Sequence, residues 1–240
     1  IGRFLRNRAA VFGMVVVLFH LFSAIFPQAL TQYDPIEQNL RDRFAAPSAE
    51  HFFGTDEYGR DIFSRVIYGC RTSMEIGLIS VAISCIIGVV IGAIAGFYGG
   101  ITDNLFMRFI DVLMAIPNTL LGISIVAALG NSIPNLIIAL SIGSIAGYAR
   151  VVRVSVLSTK GTEYVEAAYA TGASDFRIIF KYILPNCLAP IIVQATMSVA
   201  TTIMAATGLS FLGLGVPAPT PEWGAMASSS RAYIRDYWWL

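Results

Sequence analysis

The sequence predicts an all-α polytopic membrane protein, on two observations: its overall composition, and the length of its uncharged runs. Of its 240 residues, 56% are hydrophobic and 13% charged, too apolar a balance to hide inside a water-soluble domain of this size. Charged residues are absent over Ala9–Tyr33, Ile76–Thr102, Val112–Ala149 and Tyr182–Pro221, with His20 the one ionisable exception. Each run exceeds the roughly 20 residues that cross a bilayer as a helix.

The third run holds parts of two helices, because Gly130-Asn131-Ser132-Ile133-Pro134-Asn135 supplies a turn. Five complete spans follow, at about 10–27, 74–98, 104–129, 134–157 and 187–209. A sixth is expected beyond Leu240, since Tyr237-Trp238-Trp239 is the aromatic cluster typical of a membrane interface. The first run is read as a retained helix: it is longer than a signal-peptide core, and no small-residue cleavage site follows at Phe26-Pro27.

Arg3, Arg6 and Arg8 precede span one without an acid, so the positive-inside bias places the N-terminus in the cytoplasm. Residues 158–186 then form a cytoplasmic loop, and 28–73 and 210–236 lie outside. A net charge of +1 without a basic stripe excludes nucleic acid as a partner. Cys70, Cys85 and Cys187 are odd in number and lack CxxC spacing, so they are read as small apolar residues.

Ile62, Phe63, Val66 and Ile67 recur at helical spacing, either as an amphipathic helix on the outer surface or as an extension of span two. Gly88, Gly92, Gly96 and Gly100 fall four residues apart, the pattern of a close helix seam. That seam lies within the chain or against a second one. Gly143 and Gly147 repeat the spacing. Pro117 predicts a kink in span three, Asp111 is placed to pair with Arg108 one turn away, and His20 reads as a helix–helix hydrogen-bonding residue.

Between spans four and five, Thr162 is placed to cap one short helix, with Glu163 and Glu166 near its positive end. Ser174 is placed to cap a second, on which Phe176, Ile179, Phe180 and Ile183 form a stripe. Gly172 is a flexible hinge between them, and Pro185 lets the chain turn before span five. The stripe faces either the bundle or a groove on another protein.

Glu166-Ala167-Ala168, Gly172, Tyr182 and Leu184-Pro185, at this spacing, resemble the EAA motif of membrane subunits of bacterial ATP-binding-cassette importers. The family usually has Ile where this chain has Tyr182. The stretches Gly54–Arg65 and Ser210–Gly224 resemble the C-type permease of the dipeptide, oligopeptide and nickel branch. The resemblance implies a type I importer permease fold and pairing with a second permease. It also implies an extracytoplasmic solute-binding protein, and two ATPase subunits gripping Glu163, Glu166, Ala167, Ala168, Gly172, Ala173, Phe176, Tyr182, Leu184 and Pro185.

No cofactor is expected in the chain itself. Lys160 and Lys181 follow Thr159 and Phe180, so no lysine follows a Gly as a P-loop requires. HExxH and GxSxG are missing, which argues against metal-hydrolase and nucleophile-elbow chemistry. The alternative is an ion-coupled secondary transporter, for which Asp111 is the candidate intramembrane acid.

Overall fold

The computed structural model describes residues 6–240; Arg3 of the basic cluster lies outside them. The helices are α1 (Arg8–Ile25), α2 (Ile62–Tyr98), α3 (Gly100–Ala115), α4 (Asn118–Leu129), α5 (Ile133–Lys160), α6 (Glu163–Ala170), α7 (Asp175–Phe211, with a π-helical turn over Ile178–Ile183) and α8 (Trp223–Ser230). Four of them, α1, α2, α5 and α7, are long and apolar enough to cross a membrane. The α3–α4 pair makes a fifth if counted as one span, but it bends by 86°. The predicted third span is therefore broken, because Pro117 has no N–H to carry the helix onward and Ile116 before it is held extended (ψ 126°).

The chain forms two compact units, Ile1–Ile76 with Ala206–Leu240, and Gly77–Ala205. In the first, Asn7 Oδ1 caps α1, accepting from the N–H groups of Ala9 and Ala10 at 3.1 and 3.3 Å. Asp61 Oδ2 accepts from Ser64 N at 2.7 Å and starts α2 at Ile62. The amphipathic stretch is thus an extension of span two. His20 bonds along its own helix, Nδ1 to Val16 O at 2.8 Å, with its ring edge-on to Trp223. Across helices His20 is bonded through its backbone carbonyl, which accepts from Cys70 Sγ of α2 at 3.5 Å, rather than through its ring. Residues 231–236 form successive turns, and Tyr237 stacks on Phe44 at 4.1 Å.

In the second unit, Gly88, Gly92 and Gly96 face α5. A Cβ on Gly88 would lie 2.9 Å from Ile145 O, one on Gly92 2.5 Å from Ala149 O, and one on Gly96 3.0 Å from Arg153 O. The close seam is within the chain. Gly100 does not extend it: it sits at the α2–α3 turn with φ +54° and open space around it. Ser84 Oγ, Ser141 Oγ and Ser80 Oγ bridge the same two helices by donating to the carbonyls of Ser141, Ser80 and Ile137, satisfying polar groups that lipid would leave unpaired. Asp111 pairs with Arg150 of α5 at 2.5 Å, not with Arg108. Asp103 receives two bonds from Arg153 in the same way, so the acids of α3 are answered across the helix pair.

Candidate functional site: residues 163–185 and two interlocked motifs

The α6 helix is short, and its two sides differ. Val165 and Ala168 are buried in a cluster with Phe97, Val152, Val156, Ile178, Ile179, Ile183 and Cys187, while Glu163, Tyr164, Glu166, Ala167 and Tyr169 are exposed. Full burial of an Ile side chain contributes about 1.5–3 kcal/mol, so Ile178 and Ile183 hold this loop firmly. Thr162 occupies the cap position of α6 without capping it, because its hydroxyl donates to Thr159 O at 2.7 Å instead. Ser174 likewise makes no side-chain cap. Glu163 and Glu166 lie in the first turn of α6, where the helix dipole favours acids.

Gly172 is not a loose hinge. Its φ is +77°, its N–H donates to Tyr169 O at 2.9 Å, and the N–H of Ala173 donates to Ala168 O at 3.1 Å. These are the two bonds of a Schellman motif, which requires the left-handed residue that Gly supplies. Ala173, half-buried, packs against the core as the accompanying apolar contact.

The predicted stripe splits. Ile179 and Ile183 face the core, whereas Phe176 is 70% exposed and packs against exposed Phe180 with ring centroids 4.4 Å apart and planes tilted by 35°. The π-helical turn spans Ile178–Ile183, where wider i→i+5 bonds replace the 3.6-residue period on which the stripe was drawn. The same turn lets α7 run through Pro185, so the chain does not break direction there. Asn186 Nδ2 donates to Tyr182 O at 2.8 Å beside the proline. Tyr182 and Leu184 are half-buried against the core and Pro185 is exposed. Desolvation, then Asp175 and Tyr98, push the Tyr169 hydroxyl up.

The Gly54–Arg65 and Ser210–Gly224 stretches knit together. Asp56 accepts from Arg60 Nε at 2.7 Å and from the N–H groups of Tyr58 and Arg60. Arg65 donates to Pro35 O at 2.7 Å and Pro219 O at 3.3 Å, and Trp223 Nε1 donates to Val66 O at 3.0 Å. Glu222, 0% exposed, caps α8 by accepting from Gly224 N and Ala225 N, both at 2.9 Å. Sequence reasoning did not single out Arg65 or Glu222; an acid just before a short run of small residues was the available cap signal.

The model of the binding-protein-dependent transport system inner membrane component matches residues 88–234. That of the N-terminal TM domain of oligopeptide transport permease C matches residues 1–47. The chain is 46% identical to the dipeptide transport system permease protein DppC of Alkalihalophilus pseudofirmus, over 98% of this chain and 77% of that protein. The chain belongs to this permease family. Within it the permease falls among the C-type subunits of the dipeptide and oligopeptide branch. It is 43% identical to the di/tripeptide DppC of Pseudomonas aeruginosa, over 99% of this chain and 80% of that one. It is 40% identical to the oligopeptide permease OppC of Bacillus subtilis, over 99% and 78%. The permease shares its fold with a chain of the inward-facing MetNI methionine ABC transporter, at a TM-score of 0.60 and 19% identity, covering 72% of this chain and 82% of that one. It is a multi-pass, non-catalytic inner-membrane subunit of an importer.

Proposed function

We propose that the permease imports short peptides, with ATP hydrolysed by two partner ATPase subunits that grip residues 163–185 on the cytoplasmic side. The N-terminus then lies in the cytoplasm, residues 28–73 and 210–236 face outward to receive an extracytoplasmic solute-binding protein, and a second permease completes the path. The peptide substrate follows the names of the relatives.

One observation carries the coupling role. The α6 helix presents Glu163, Glu166 and Ala167 outward while Val165 and Ala168 anchor it to the core beside α2, α5 and α7. A push on its outer side is transmitted to the span helices because the anchor is packed rather than tethered. Reconstituted with its partners, the complex takes up trialanine on addition of ATP; uptake that follows a proton gradient and ignores ATP would refute the reading.

A further inference from the structure

The break in the third span borders a cavity of about 390 Å³ inside the Gly77–Ala205 unit. This lies within the usual range of ligand sites, roughly 300–1,000 Å³, and has room for about a dozen waters at about 30 Å³ each. Its wall carries Asn118, Ser144, Gln194, Ser198 and Thr201, and no lining residue is ionisable. Gly143 and Gly147 keep it open: a Cβ on Gly143 would come 3.6 Å from the Asn118 carboxamide, and one on Gly147 3.7 Å from Gln194 Nε2. Gln194 Nε2 reaches Ser198 Oγ only at 3.5 Å, a long bond that another acceptor would displace.

Five hydrogen-bonding side chains gathered on span helices are costly against lipid, and such groups face a cavity or a path. Carboxamides and hydroxyls both donate and accept, which matches the N–H and C=O of a peptide group. We propose that this cavity is a substrate site in which neutral side chains hold the backbone amides of a passing peptide, the one feature every short peptide shares. A site without charge does not select among substrate side chains. The inference rests on the import reading above and assigns residues to it.

The test uses the complete transporter in proteoliposomes, with trialanine as probe. Gln194→Leu, Asn118→Leu and Gly147→Leu each lower ATP-driven trialanine uptake at least tenfold, while the subunits still copurify. In a background with Cys70, Cys85 and Cys187 changed to Ser, Ser144→Cys and Thr201→Cys react with a charged methanethiosulfonate reagent, and trialanine slows that labelling at least threefold. Failure of both cysteines to react, or loss of subunit assembly in Gly147→Leu, would make the cavity a seam against the second permease and overturn the proposal. If the unsubstituted complex hydrolyses ATP without taking up trialanine, the import reading fails, and labelling of the two cysteines still decides whether the cavity is open to solutes.

Discussion

The carbonyl oxygen of Ala149 stands 2.5 Å from the point a Cβ on Gly92 would occupy. Backbone meets backbone there, so no side-chain rotation relieves the clash, and Gly92→Ala must push α2 off α5. Overpacking of this kind costs about 1–3 kcal/mol. Gly143→Ala is the control: its Cβ meets nothing closer than 3.6 Å, and Ala in place of Gly within a helix gains about 0.5–1 kcal/mol. Thermal unfolding in detergent should show a lowered Tm for the first and an equal or raised Tm for the second. Equal midpoints for Gly92→Ala and the parent would mean the helices do not approach this closely.

At Gly172 the strain comes from conformation, since nothing lies within 4 Å of an added Cβ. Holding a non-Gly residue at φ +77° costs about 1–2 kcal/mol, so Gly172→Val should favour opening of the turn and reduce stimulation of the ATPase by substrate-loaded binding protein. Asn tolerates this region better than other residues, so Gly172→Asn should retain more stimulation than Gly172→Val. Identical behaviour of the two variants would detach the left-handed turn from coupling.

Much of this was legible in the chain. The uncharged runs announced long apolar helices because lipid leaves little choice for such a segment, and Gly88, Gly92 and Gly96 announced a seam by spacing alone. What escaped was relational. No pattern local to α2 says that its glycines meet Ala149 and Arg153, and Asp111 chose Arg150 over its one-turn neighbour because α5 brings a guanidinium alongside. The stripe over Phe176–Ile183 failed for a subtler reason: a single π-helical turn changes the period on which the inference rested. The EAA-like motif read cleanly as spacing, but only the fold separates its exposed Ala167 from its buried Ala168.

That separation gives a sharp expectation. Ala167 is exposed and Ala168 is 4% exposed, although they are adjacent in the motif. Paired with a cysteine on a partner ATPase subunit, Ala167→Cys should cross-link with a short bifunctional reagent, and Ala168→Cys should do so far more slowly. The sequence alone treated the two positions as equivalent. Equal yields, or efficient cross-linking through Ala168→Cys only, would show that α6 docks by another face.

Glu222 offers a test away from residues 163–185. Its two carboxylate oxygens take the Gly224 and Ala225 N–H groups, and Ser73 Oγ lies 3.5 Å from Oε1, so removing the side chain leaves buried donors without an acceptor. Loss of a cap costs about 0.5–2 kcal/mol, and a buried unsatisfied donor about 1–3 kcal/mol. Glu222→Ala should therefore lower the Tm more than Glu222→Gln, whose carbonyl oxygen still accepts one of the two bonds. Because Glu222 lies in the Ser210–Gly224 stretch, which the proposed orientation turns outward, the same variant should weaken binding of the solute-binding protein to the reconstituted complex while leaving cross-linking through Ala167→Cys intact. A drop in that cross-linking would instead mean that α8 supports the whole molecule rather than the outer face.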